Sequence, residues 1–157
     1  SVCRLNAAML ATASADHTVK IWHSYYDYED EEACFQCYQT LEGHTGSVIG
    51  VCQLNAATLA SASNDSTVKI WDWPSGRCLQ TLEGHTGSVF ALCRLSATTL
   101  ASASGDHTVK IWHWPSGRCL HTLEGHREWV YSVCRLNAAM LATASADHTV
   151  KIWHWPS

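Results

Sequence analysis

Positive charge is in deficit in this chain: Lys and Arg total 10 against 14 Asp and Glu, for a formal net charge of −4. That removes the electrostatic case for binding nucleic acid or an anionic membrane surface. Long hydrophobic runs are also missing, and none approaches the ~20 residues that a membrane-spanning helix needs. No basic region followed by a long apolar stretch opens the sequence, so no signal peptide is legible. No segment carries a helical period. Cys34 and Cys37 form a single CxxC, whereas a zinc ribbon requires a second pair at matching spacing. No metal site and no cofactor are therefore expected. The acidic excess is local, with Asp27, Glu29, Asp30, Glu31 and Glu32 clustered in one short stretch.

What is present is repetition. Ser1–His23 and Ser132–His154 are identical letter for letter, and two altered copies lie between them. Self-similarity at a fixed period names an architecture before local propensity is consulted. Gly43-His44, Gly84-His85 and Gly125-His126 recur every 41 residues, as do Trp71, Trp112 and Trp153. Trp22 to Trp71 is longer by 8, which places an insertion in the first unit, within residues 25–35. Cys3, Cys52, Cys93 and Cys134 share one position in the repeat, and Cys37, Cys78 and Cys119 share another. Thiols in phase with a repeat read as small buried hydrophobes, reduced in an intracellular (cytoplasmic or nuclear) setting.

One unit reads as four strands separated by turn residues. In the second, Ser47–Leu54, Thr58–Ser63, Thr67–Trp73 and Arg77–Leu82 are apolar or alternating runs. Asn55-Ala56-Ala57, Asn64-Asp65-Ser66 and Pro74-Ser75-Gly76 punctuate them, and the middle turn suits an Asx or left-handed conformation. The Gly-His pair, the Ser-x-Asp-x-Thr-Val-Lys-Ile-Trp run and the period resemble WD repeats, whose units form the blades of β-propellers. The dipeptide that names that family survives here only as Trp71-Asp72; the other units have Trp22-His23, Trp112-His113 and Trp153-His154. Because that Asp serves the following turn, the change leaves the blade reading intact. The expected fold is all-β, with four-stranded antiparallel blades at about 1–41, 47–82, 88–123 and 129–157, the last without its outer strand. The ring is then incomplete, or completed by an oligomer. Three readings stand: further blades in a longer parent chain, which is favoured; a homodimer closing an eight-bladed ring; and, least favoured, a closed ring of four.

Each complete unit holds His, Ser or Thr, Asp and Trp: His44, Ser61, Asp65, Trp71; His85, Ser102, Asp106, Trp112; His126, Thr143, Asp147, Trp153. These imitate Ser-His-Asp triads, but recurrence in every unit and exchange of Ser for Thr point to structure rather than catalysis. The resemblance implies a buried hydrogen-bond tetrad at matching positions, with Ser63, Ser104 and Ser145 as the alternative hydroxyls. The first unit has Thr12, Asp16 and Trp22 but no His. The resemblance further implies protein or peptide partners bound on the top face, at positions three and five after the His and one before the Asp. These are Ser47, Ile49, Ser88, Phe90, Trp129 and Tyr131, with Ala15, Asn64, Gly105 and Ala146. The fourth unit replaces His-Thr-Gly-Ser-Val by His126-Arg127-Glu128-Trp129-Val130-Tyr131, and Arg, Trp and Tyr are residue types enriched at binding hot spots. His17, His107 and His148 are expected as solvated turn residues on the same face. The insertion is expected on the opposite face, as a solvated loop of like charges or a dock for a basic segment. The expected function is a non-catalytic interaction scaffold. The alternative is a substrate-recognition subunit such as a ubiquitin ligase adaptor, against which stands the lack of Arg or Lys two residues after Trp71-Asp72.

Overall fold

The computed structural model describes residues 1–28 and 31–155. Among these residues fifteen strands form four antiparallel sheets, each in simple sequential order. The first sheet is β1 (Val2–Arg4), β2 (Met9–Ala13), β3 (Val19–Asp27) and β4 (Glu32–Leu41). The second is β5 (Val48–Gln53), β6 (Thr58–Ser63), β7 (Val68–Asp72) and β8 (Arg77–Leu82). The third is β9 (Val89–Arg94), β10 (Thr99–Ser104), β11 (Val109–His113) and β12 (Arg118–Leu123). The fourth has three strands: β13 (Val130–Arg135), β14 (Met140–Ser145) and β15 (Val150–His154). This is the all-β, incomplete-propeller architecture that the repeat implied. Pro156 and Ser157, which belong to the expected fourth unit, lie outside the described residues.

Alternation of side chains across a strand gives every blade two faces, and both are apolar because each inner blade is covered on both sides. One face of the first blade offers Leu5, Ala11, Val19, Ile21 and Leu41 to Val48, Leu59, Trp71 and Trp73 of the second. The pattern repeats between the second and third blades, and again between the third and fourth. Thus β6 is buried at every position, while at the rim half of β8 and most of β12 is exposed. Hydrogen bonds cross the first joint, from Val48 N to Ser14 O at 3.0 Å and from Gln53 Nε2 to Leu5 O at 3.0 Å. At the rim, the amide of Gln39 reaches over the turn of the next blade at Gly76, whose φ is +76°. A Cβ there would fall 2.2 Å from Gln39 Nε2, the movable end of a flexible side chain, so it is the left-handed backbone that favours glycine.

The turns follow the sequence. Asp65 Oδ1 accepts the Thr67 N–H at 3.0 Å, an Asx turn. The left-handed residue of that turn is Ser66, with φ 69°, and His17, His107 and His148 hold the same position in the other blades. Asp72 bonds the Ser75 hydroxyl in the next turn, and His113 Nδ1 does the same for Ser116 at 2.7 Å. The exchange of Asp for His after the Trp therefore keeps the turn.

Two expectations are corrected. The thiols are not uniformly buried: Cys37, Cys78, Cys119 and Cys134 are exposed, and Cys3, Cys34, Cys52 and Cys93 are half-buried. Among the described residues the rim strands pair on one edge only, and no blade packs on the outer face of the fourth. The insertion is also not a loose loop. Asp27↔Glu32, Tyr26↔Ala33, Tyr25↔Cys34 and Ser24↔Phe35 continue the β3–β4 ladder, so the first blade carries a long hairpin. Glu29 and Asp30 lie outside the described residues.

Candidate functional site

Each of the three His, Ser or Thr, Asp and Trp sets is joined by hydrogen bonds. In the third blade, Trp112 Nε1–H donates to Ser102 Oγ at 2.8 Å. Ser102 Oγ meets His85 Nε2 at 2.8 Å, and His85 Nδ1 meets Asp106 Oδ2 at 2.7 Å. The second blade has the same chain through Trp71, Ser61, His44 and Asp65, and the fourth through Trp153, Thr143, His126 and Asp147. The alternative hydroxyls serve elsewhere: Ser63, Ser104 and Ser145 donate to the carbonyls of Gly46, Gly87 and Glu128. In the first blade only Trp22 to Thr12 forms, at 2.9 Å, and Asp16 turns to Thr18.

The electrostatics fit a neutral imidazole beside a carboxylate. Burial holds His44 and His85 below the usual imidazole range against the pull of Asp65 and Asp106. Burial also opposes ionisation of Asp65 and Asp106. Hydrogen bonds from Thr67 and His44, and from Thr108 and His85, override it and bring each carboxyl down to about 2. Bonds from Thr149 and His126 lower Asp147 likewise. The neutral ring thus donates at Nδ1 to the carboxylate and accepts at Nε2 from the hydroxyl. As a nucleophile the hydroxyl is unfit: Ser61 and Ser102 are fully buried, and each already accepts an indole N–H. Sequence reasoning missed one member of the network. A Thr two residues after each Asp (Thr18, Thr67, Thr108, Thr149) donates its hydroxyl to that carboxylate, and the recurring Asp-x-Thr was its signal.

On the loop side of this network, three blades meet in a cleft of about 410 Å³ lined by Asn64, Gly87, Ser88, Phe90, Gly105 and Trp129. Phe90, Trp129 and Tyr131 stack as a cluster, with ring centroids 5.3 to 6.2 Å apart. Trp129 is 49% exposed and Tyr131 48%, while Phe90 beneath them is half-buried. Gly105 makes the floor, since a Cβ there would lie 3.3 Å from the Phe90 ring and 3.6 Å from Trp129. Asn64, Ser88, Phe90, Trp129 and Tyr131 are thus brought together as one surface, and Gly87 joins them unforeseen.

Other candidate positions fall elsewhere. Arg127 faces a separate hollow with Gly125, Asp147, Thr149 and Lys151. Ser47 bonds the Ala15 carbonyl across the first joint at 3.3 Å, and Ile49 beside it is half-buried. No group of three or more His, Cys, Asp or Glu among the described residues is arranged to hold a metal ion.

No curated protein sequence matches the chain. The profile of the WD domain, G-beta repeat (WD40) matches residues 2–23, 35–72, 76–113 and 117–154. Its phase differs from that of the blades: residues 35–72 comprise β4 of the first blade and β5–β7 of the second. The three later matched units thereby each tie two blades together, whereas 2–23 lies within the first blade, and residues 24–34 fall between matched units. Repeats of this kind generally serve protein–protein interaction. With the Gly-His loops, the tetrads and four matched units covering most of its length, the chain belongs to the WD-repeat family.

Proposed function

We propose that this chain is a non-catalytic scaffold that holds a partner protein or peptide in the cleft over Asn64, Ser88, Phe90, Gly105, Trp129 and Tyr131. The observation that carries this reading is the aromatic cluster, which spans two blades and leaves half of Trp129 and Tyr131 open to solvent. Large rings with little rotamer freedom bury much area at low entropic cost, and such side chains dominate binding energy at interfaces. Asn64 and Ser88 at the rim supply the few polar groups that fix a ligand's orientation. The non-catalytic part of the reading rests on saturation of the tetrads, whose hydroxyls and imidazoles have no free atom for a substrate. The test is affinity capture with mass spectrometry, comparing the wild-type chain with Trp129→Ala/Tyr131→Ala. Partners recovered by the wild-type chain should be lost by at least tenfold from the variant. Equal recovery by both would assign binding to another face.

A further inference from the structure

The rim strands provide a comparison inside one molecule, because β4, β8 and β12 hold the same place in three blades. Blades pack face to face, so the outer edge of each rim strand lies outside every joint. Among the described residues each of these strands pairs on one side only. Natural sheets blunt such edges by keeping them short, by bulges and by positive charge. β8 and β12 use all three. They are 6 residues long, begin with Arg77 and Arg118, and skip Leu79 and Leu120 in their register. Between that skip and the turn, β8 keeps only Trp71↔Cys78 and Asp72↔Arg77, and β12 only Trp112↔Cys119 and His113↔Arg118.

β4 keeps the skip, at Tyr38, and lacks the other two defences. It is 10 residues long, and its pairing runs without a break from Trp22↔Cys37 to Asp27↔Glu32. Gln36 stands where the other rims have Arg77 and Arg118, and β4 contains no Lys, Arg or Pro. Glu32, Ala33, Phe35, Gln36 and Cys37 are exposed along this stretch. The charge around it is of one sign. No Lys or Arg occurs between Lys20 and Lys69, whereas Asp27, Glu29, Asp30, Glu31 and Glu32 follow one another closely in sequence. Glu31 and Glu32 are exposed.

We propose that the edge of β4 from Glu32 to Cys37 takes up an extended segment of a partner protein, rich in Lys or Arg, as an added strand. An edge strand presents a row of main-chain N–H and C=O groups ready for a further strand, and such pairing supplies affinity without regard to sequence. Specificity then comes from the side chains beside the edge. Glu31 and Glu32 attract a basic guest and repel an acidic one. Arg77 and Arg118 would repel the same guest from β8 and β12, so the first blade alone is suited to receive it. The hairpin lies at the end of the blade opposite the Gly-His loops, because the β4–β5 connection carries Gly43-His44. This edge is therefore separate from the cleft over Trp129 and Tyr131.

The experiment is fluorescence anisotropy of a labelled peptide of alternating Lys and Val, titrated with the full chain. Wild type should bind it, and less tightly as salt is raised. The Glu-Val counterpart should bind at least tenfold less well. So should the Lys-Val peptide methylated at every backbone nitrogen, which keeps its charge and loses its N–H donors. Replacing residues 24–36 by Trp-Pro-Ser-Gly-Arg, the turn of the second blade, gives the first rim the length and the Arg of the others. That variant should lose binding at least tenfold while keeping its β signal in far-ultraviolet circular dichroism. Where it loses that signal, Glu32→Lys/Gln36→Arg serves at the same edge. A wild-type chain that ignores the Lys-Val peptide overturns the proposal. Equal binding of the methylated peptide also overturns it, since charge alone then suffices, as does binding that survives the replacement. A wild-type dimer in light scattering that the replacement abolishes would assign the edge to a second copy instead. None of these readouts involves Trp129 or Tyr131, so this proposal and the binding cleft stand or fall separately.

Discussion

Asp106 accepts four hydrogen bonds: at Oδ2 from His85 Nδ1 and Thr86 N, and at Oδ1 from Thr108 N and Thr108 Oγ1. Asp65 and Asp147 have the same four. One carboxylate so fastens the Gly-His loop to the turn between the second and third strands. Asp106→Ala leaves a buried imidazole without its acceptor and two backbone N–H groups unpaired, which should cost about 2–4 kcal/mol. Urea denaturation measures it, and an unchanged midpoint would remove the tetrad from the account of stability. At this scale much of the molecule was legible in the sequence. His, hydroxyl, Asp and Trp stood in fixed phase, and a recurring polar set in a strand-forming repeat has to satisfy itself when buried. The cleft was legible only in part. Asn64, Ser88, Phe90, Trp129 and Tyr131 came from their places in the repeat. That the Phe90 ring meets both other rings is a contact between blades that no local pattern encodes.

Among the elements, position in the blade governs chemistry. The second strand is sealed on both faces, and the fourth meets solvent along its outer edge. Equal phase in the repeat therefore did not mean equal burial, and the cysteines divide accordingly. Burial pushes the Cys52 thiol up to about 11, where almost no thiolate exists at neutral pH. Cys37, Cys78 and Cys119 sit exposed on rim strands. Brief treatment of the folded protein with a maleimide should modify these three at least tenfold faster than Cys52, as read by peptide mass spectrometry. Equal rates would contradict the strand assignments. The insertion was misread at this same scale. Its like charges suggested a solvated loop, but Tyr25, Tyr26 and Phe35 favour extended backbone. A ladder already running through Trp22 and Cys37 needs only register to continue.

For the whole molecule, pH acts through groups that bind protons less readily folded than unfolded. His44 and His85 are held below their ordinary 6.5, so the unfolded chain gains protons that the folded one refuses. Stability is then full above pH 6.5 and falls as pH drops below it. Asp65 and Asp106, at about 2 against an ordinary 3.8, add a second loss between those values. Cys52 works in the other direction, since its raised thiol withdraws support as pH climbs past 9.0. Melting temperature should therefore be highest between about pH 7 and 9 and lower at pH 5 by several degrees. Calorimetry across that range would show it, and a melting point higher at pH 5 than at pH 8 would reverse the sign of the histidine contribution.

Among the described residues each apolar core lies between two blades that are neighbours along the chain, so the array is close to one-dimensional, and its cohesion is a sum of units and joints. The units are not equal. The first blade lacks the histidine, keeps only the bond from Trp22 to Thr12, and leaves Asp16 exposed. The turn between its second and third strands is therefore held by fewer hydrogen bonds than the matching turn of the other three blades, and amide exchange should be faster there.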